Sequence, residues 1–396
     1  MGTRKARPIR RTPAGIAVIF KLPAILVMIG MISVLIGGCN FASSPASDTP
    51  SLISTPTAQV TPVPTQTPLP SATVIPTLTP AATNTPTPDP DERYALIAHT
   101  NDPVKQQWLL DTFETRWFLD YTSGVAVIPT GYKKLIYIGN VPGPSREAIR
   151  DIASQAPGSV WYVVGEPNRR AGYTARTIVS QLHDLYALIR EADPTAKITS
   201  PSILNFEFTC NGCGGYQKGK DWIEEFRSEY LALYGVEPEV DIWAIDVYPI
   251  DWENTPTVDH QIAIEQIEGL REYLDTIPDQ QGKPIWITEL GLHWGYSDID
   301  WTVEECIVNG VQRPAPGGIY ETEQVIGYLR EVFDWLDANA TGMDIERWFM
   351  YTTYRDITTC SSDAYAGLTL LDGPDVGANL TRVGEYFKGR VMGMSQ

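Results

Sequence analysis

Basic side chains are scarce in this sequence. Lysine and arginine number 30 against 48 aspartates and glutamates over 396 residues, for a net charge of −18. Arg4, Lys5, Arg7, Arg10, Arg11 and Lys21 supply six of the 30, in a leader without a single acid. Without that leader the chain carries 24 basic and 48 acidic groups, net −24. Such a balance argues against nucleic acid or an anionic membrane surface as a partner and suits a neutral or cationic ligand. Histidine occurs four times and cysteine five. No metal-ligand cluster, Gly-rich phosphate loop or nucleophile-histidine-acid signature is present, so neither a metal nor another cofactor is implied. Internal repeats are absent as well.

Lysine and arginine vanish altogether between Asn40 and Pro90, where 12 prolines follow Phe41 among threonine, serine and alanine. That composition cannot bury enough apolar surface to offset its ordering entropy. An extended tether of polyproline II character is expected over residues 39–92. Residues 1–38 read as an export signal: a basic start, an apolar run from Leu22, then Ile36-Gly37-Gly38 before Cys39. That ending resembles a lipobox, cleaved before Cys39 and lipidated there; an uncleaved membrane anchor is the alternative. The folded part is then extracytoplasmic, held at the cell surface by a lipid. Four cysteines remain: Cys210, Cys213, Cys306 and Cys360. Outside the cytoplasm disulfides are the default, and three pairings are open. Cys306–Cys360 with a local Cys210–Cys213 bridge is the favoured one; a four-thiolate zinc site is the rival.

From residue 93 to 391, strand-like and helix-like stretches alternate. Strand candidates are 95–99, 116–121, 135–139, 160–165, 197–201, 242–248, 285–289 and 348–354. Helical stripes lie between them: Ile178, Leu182, Leu185 and Ile189; Trp222, Phe226, Tyr230 and Leu233; Ile262, Ile267, Leu270 and Leu274; Val325, Leu329, Val332 and Leu336, with Thr322 as N-cap. About eight strands with helices between most of them over roughly 300 residues predict a single (β/α)8 barrel.

Two strands end alike. Val160–Val164 is a run of β-branched and aromatic residues that stops at Gly165, Glu166 and Pro167. Ile285–Thr288 is another, followed by Glu289. In a parallel barrel all strands end on one face, so acids 123 positions apart in sequence can meet over one mouth. Two carboxyls in different protonation states are what glycosidic cleavage needs: one protonates the leaving oxygen, the other attacks or stabilises the sugar.

The stretches W-Y-V-V-G-E-P-N and P-I-W-I-T-E-L-G resemble the fourth- and seventh-strand motifs of clan A retaining glycoside hydrolases. R-W-F-L-D-Y at Arg116–Tyr121, K-I-T-S-P-S at Lys197–Ser202 and V-D-I-W-A-I-D-V-Y-P at Val240–Pro249 are similar to stretches of glycoside hydrolase family 128, which includes β-1,3-glucanases. The resemblance implies Glu166 as general acid/base, Glu289 as nucleophile and Tyr248 as the hydrogen-bond donor that orients Glu289. It also implies a carboxyl separation of about 5–5.5 Å, the retaining spacing. Two positions depart from the pattern. Gly165 stands where the clan usually has an asparagine for the sugar 2-hydroxyl, and Asp246 where the family has a histidine.

Asn168, Asp120, Asn205, Asp246, Trp286 and Trp294 are the further candidates for holding sugar. Asn168 or Asn205 would take the role of the missing asparagine. Trp252 and Trp301 can also line the mouth by stacking on pyranose rings, with Trp117 and Trp348 as its floor; His293 follows Glu289 by four residues. The expectation is a monomeric, surface-anchored retaining hydrolase of a β-linked, β-glucan-like poly- or oligosaccharide. A carbohydrate-binding barrel without turnover and a tethered surface receptor are the alternatives.

Overall fold

A computed structural model describes residues 92–125, 128–207, 217–250, 257–292, 295–296, 306–308, 311–313, 318–354 and 368–394. The chain divides into two units, Met1–Thr79 and Pro80–Gln396, and every described residue belongs to the second. The leader, Cys39 and the tether up to residue 91 lie outside the described residues.

One parallel sheet organises the described unit. Its strands are β1 (Tyr94–Ile97), β2 (Trp117–Leu119), β3 (Lys133–Tyr137), β4 (Val160–Tyr162), β5 (Lys197–Ile198), β6 (Ile203–Leu204), β7 (Trp243–Val247) and β8 (Ile285–Leu290). Between β8 and the last strand lie β9 (Gly295–Tyr296), β10 (Cys306–Val308), β11 (Val311–Arg313) and β12 (Gly318–Tyr320), which pair as β9 with β12 and β10 with β11. The last strand is β13 (Ile345–Met350). The sheet order is β5-β4-β3-β2-β1-β13-β8-β7-β6. The strands at its two ends are halves of one extended segment. Thr199 bridges to Ile242 and Ser202 to Gly165, so residues 199–202 touch both neighbours. The sheet therefore curls until its ends meet, an α/β barrel-like fold with eight strand positions.

Helices cover the outside: α1 (Pro103–Phe113), α2 (Arg146–Gln155), α3 (Ala175–Ala192), α4 (Gly219–Tyr234), α5 (His260–Asp275), α6 (Thr322–Asn339) and α7 (Arg382–Val391). Among the described residues no helix separates β2 from β3. The stripe residues of α3 and α6 are buried against the sheet; each such side chain contributes roughly 1.5–3 kcal/mol of transfer free energy. In α4 the first three stripe residues are buried, but Leu233 is 57% exposed in the final turn before the left-handed Gly235. Glu321, not Thr322, caps α6: its side chain and that of Gln324 each bond the other's backbone N–H.

Side chains alternate across each strand, so the sheet separates two cores. Tyr94, Leu96 and Phe118 face the helices. Ala95, Ile97, Trp117, Leu119 and Leu135 face inward. At the strand beginnings the inner core is closed by Trp117 and Trp286, whose rings meet edge to face at 5.1 Å. The Arg347 guanidinium lies 4.0 Å and 4.6 Å from those two ring centroids. The observed β3 begins at Lys133, earlier than the hydrophobic pattern suggests. Lys134 looks like a solvated residue in sequence, yet its ammonium is buried against Asp120.

Candidate active site

The opposite end of the barrel gathers acids and phenols. Glu166 follows β4, its backbone N–H donating to Ser202 O at 2.7 Å. Its φ of 46° is left-handed, as are those of Tyr121 (57°) beyond β2 and Asn205 (51°) beyond β6. Non-glycine residues rarely adopt that conformation, and strand ends at functional sites are where it concentrates. Here it turns the chain off each strand while its side chain stays at the mouth. Pro167 then opens a single 3-10 turn, Pro167–Arg169.

Glu289 lies in β8 where the register against β7 shifts, between Ile245 and Asp246. Both its oxygens accept phenol hydrogen bonds, from Tyr121 at 2.5 Å and from Tyr248 at 2.7 Å. Gly291 permits the second, because a Cβ there would stand 2.2 Å from the Tyr248 ring. Burial and the nearby Glu289 carboxylate push both phenols far above the ordinary tyrosine range. They therefore remain donors at any physiological pH, which orients Glu289 and favours its charged form.

Asp246 completes the group. One oxygen from each of Glu166, Asp246 and Glu289 lies within 4.8 Å of the other two. Asp246 is fully buried, and its carboxyl is pushed well above the usual carboxylate range, first by desolvation and then by Glu289 and Glu166. The same two causes, burial and Glu289, raise Glu166 to about 7. Arg169 opposes that rise: its Nε stands 2.7 Å from Glu166 Oε2. Its side chain is about a third exposed, so solvent weakens its pull and desolvation prevails. An acid near neutrality beside an oriented carboxylate can deliver a proton and a nucleophile to one bond.

Residues 164–387, more than half of the chain, match the family described as glycosyl hydrolase catalytic core. The chain belongs to that family. It is a glycoside hydrolase, and the described barrel is its catalytic core. The solved structure of a family 128 (subgroup II) endo-β-1,3-glucanase from Pseudomonas viridiflava is 16% identical over 75% of this chain and 96% of its own, with a TM-score of 0.51, and shares the fold. A second subgroup II endo-β-1,3-glucanase, from Sorangium cellulosum, is 17% identical over 75% and 97%, with a TM-score of 0.45. A subgroup III curdlan-specific exo-β-1,3-glucanase from Blastomyces gilchristii, in complex with glucose, is 17% identical over the same shares, also with a TM-score of 0.45. No curated protein matches the chain.

Several residues expected to hold sugar in this glycosidase do other work. Asp120 follows Leu119 and points to the helix side, where Lys134 and Gln106 bond its carboxylate at 2.7–2.8 Å. It is a buried ion pair, and Tyr121 takes the inward position. Asn168 is buried: its side chain bonds the Leu204 N–H and the carbonyls of Leu204 and Gln217, fastening the turn after β4 to β6. Asn205 bonds both the N–H and the carbonyl of Tyr248. Both asparagines are buried and satisfy backbone groups of neighbouring strands. Trp286 lies in the floor, its indole N–H on Glu346 at 2.9 Å, with the inner core between it and the mouth. Asp246 does reach the site, but beneath the acid pair and without exposure. Trp252, His293, Trp294, Trp301, Cys210, Cys213 and Cys360 lie outside the described residues. Cys306 lies in β10, and its side chain is outside them.

Tyr121, Tyr162, Ser202 and Thr288 lie inside the stretches that resemble the family, but none of them is assigned a role from sequence. The alternation of β2 is the one available signal for Tyr121: with Leu119 facing in, Asp120 must face out and the next inward place is Tyr121. For the other three, the signal exists only across strands.

Replacing Asp120 tests its assignment as an ion-pair partner. Asp120→Ala leaves Lys134 buried without its partner and should cost roughly 3–5 kcal/mol in chemical denaturation, while Asp120→Ala with Lys134→Met recovers most of it. KM of the folded enzyme should not change; a raised KM in both variants would return Asp120 to the substrate.

Proposed function

We propose that this glycoside hydrolase cleaves a β-glucan with retention of anomeric configuration, by double displacement. The observation that carries the reading is that an oxygen of Glu166 and an oxygen of Glu289 lie within 4.8 Å of each other. That proximity suits retaining chemistry, with its carboxyls about 5–5.5 Å apart, better than inverting chemistry, which leaves room for a water. The endo-β-1,3-glucanase whose solved structure shares the fold supports β-glucan as the substrate class.

In the first step the Glu166 carboxyl donates its proton to the glycosidic oxygen as that bond breaks. A Glu289 oxygen bonds C1 and gives a covalent glycosyl-enzyme. In the second step a water enters, Glu166 takes its proton, and the resulting oxygen displaces Glu289 from C1. Tyr121 and Tyr248 hold Glu289 in line throughout. The acid role requires a protonated Glu166, and the value of about 7 keeps a large fraction in that form at neutral pH.

The full chain incubated with laminarin should release sugar whose first-formed anomer, read by NMR, is β. Glu166→Gln should lower kcat by roughly 10²–10⁴, and Glu289→Ala should abolish turnover. Release of the α-anomer, or turnover surviving Glu289→Ala, overturns the reading.

Arg169 gives a separate pH test. Because the guanidinium lowers the Glu166 value, Arg169→Gln should move the basic limb of the kcat/KM profile to higher pH, by a fraction of a unit given the exposure of Arg169. A shift to lower pH would mean that another group sets that limb.

We also infer that the enzyme works outside the cytoplasm on a lipid anchor, from the basic leader, the apolar run and the small residues before Cys39. Cys39→Ser should then release the protein from the membrane fraction of cells that express it; an unchanged distribution would favour an uncleaved apolar anchor.

A further inference from the structure

Beneath the acid pair lies a ring of oxygens that neither catalytic step uses. Asp246 Oδ1 is 2.9 Å from Ser202 Oγ and 2.6 Å from Thr288 Oγ1, and those two hydroxyls are 2.7 Å from each other. Asp246 Oδ2 is 3.3 Å from the Tyr162 hydroxyl. Each of these approaches needs a hydrogen between the oxygens. Ser202, Thr288 and Tyr162 bring one hydroxyl hydrogen each. The contacts exceed the hydrogens by one.

A proton on Asp246 removes the deficit. Oδ1–H donates to Ser202, Ser202 donates to Thr288, Thr288 donates back to Oδ1, and Tyr162 donates to Oδ2. All four contacts are then served, and the one left over, Thr288 Oγ1 to the Ile245 carbonyl, is the longest of the set at 3.4 Å. The surroundings agree. Asp246 is wholly buried, and the titratable groups facing it are Tyr162 from β4, Glu166 beyond β4, Glu289 from β8, Tyr137 from β3 and Tyr121 beyond β2. Arg169 pairs with Glu166 instead.

We propose that Asp246 is a positioning residue that works as a neutral carboxylic acid, its own proton closing the hydroxyl ring that fixes the β8 bulge and so aims Glu289. Thr288 directly precedes Glu289 at the place where the β7–β8 register shifts. A threonine fastened to Asp246 fixes that irregular backbone, and with it the direction of the next side chain. A neutral Asp246 also keeps a third negative charge away from two carboxyls within 4.8 Å, which lets Glu289 remain ionised while Glu166 holds a proton. Gly165 belongs to the same arrangement. A Cβ at that position would stand 2.9 Å from the Tyr162 hydroxyl that reaches Asp246. The two departures from the family pattern, Gly165 and Asp246, thus meet on one tyrosine.

The proposal rests on Glu166 and Glu289 being the reacting pair, and its test has one arm without substrate. At about pH 9, above the Glu166 value, the full chain should keep an infrared band of a protonated carboxyl that persists in Glu166→Gln and is lost in Asp246→Asn. Absence of that band in the wild type overturns the proposal whether or not laminarin is cleaved.

With laminarin as substrate, Asp246→Asn replaces the acid by an amide whose N–H can still donate to Ser202, while the Thr288 hydroxyl can turn to the Ile245 carbonyl 3.4 Å away. Its kcat should stay within about fivefold, with the basic limb unmoved. Asp246→Ala should lose about tenfold or more in kcat with little change in KM, because the ring opens. Were Asp246 ionised, Asp246→Asn would remove a charge beside Glu166 and move the basic limb down by more than about one pH unit. That shift also overturns the proposal.

Discussion

Desolvation of carboxyl groups is the constraint on which this structure turns. The barrel brings three acids to one end and gives them little water. Charge there is expensive, and like charges within 4.8 Å make it more so. The arrangement divides the cost unequally. Glu289 receives two phenol hydrogen bonds and can remain a carboxylate. Asp246 receives burial and hydroxyls. Glu166, at the rim, is left near neutrality with an arginine beside it. The contrast between these environments gives like functional groups unlike protonation states, which is what the proposed acid and nucleophile require.

The rest of the barrel serves that contrast. Parallel strands deliver all their ends to one face, and alternation decides which side chains enter it. Left-handed residues at Tyr121, Glu166 and Asn205 turn the chain away from the strands without removing those side chains. Below, Trp117, Trp286 and Arg347 close the floor, so the inner core stays dry. Around the mouth, Asn168 and Asn205 tie irregular backbone to neighbouring strands. Those ties fix the backbone of Tyr248 and fasten the turn after Glu166 to β6.

The comparison with known proteins adds kinship and fold. A family model spanning residues 164–387 makes the chain a glycoside hydrolase. The shared fold with a β-1,3-glucanase at 16% identity says how the barrel is built. Fold alone carries neither substrate nor stereochemistry.

Much of this protein could be read from the order of its residues. Alternating apolar runs and helical stripes placed all eight strand positions, since burial on two faces leaves a local signature. A carboxylate after each of two buried runs marked Glu166 and Glu289, because a charged residue at the end of a fully apolar strand has few other places to go. Asp120, Asn168 and Asn205 were different. In sequence each is a polar residue near a strand end, equally fit for a sugar or for a buried backbone group. Only the folded chain shows Lys134 opposite Asp120, and the carbonyls of Leu204 and Tyr248 within reach of the two asparagines. The same holds for the ring of Ser202, Asp246 and Thr288, which comes from three strands. Local pattern determines which way a side chain faces; the partner across the barrel, and with it the proton each acid carries, exists only once distant strands are side by side.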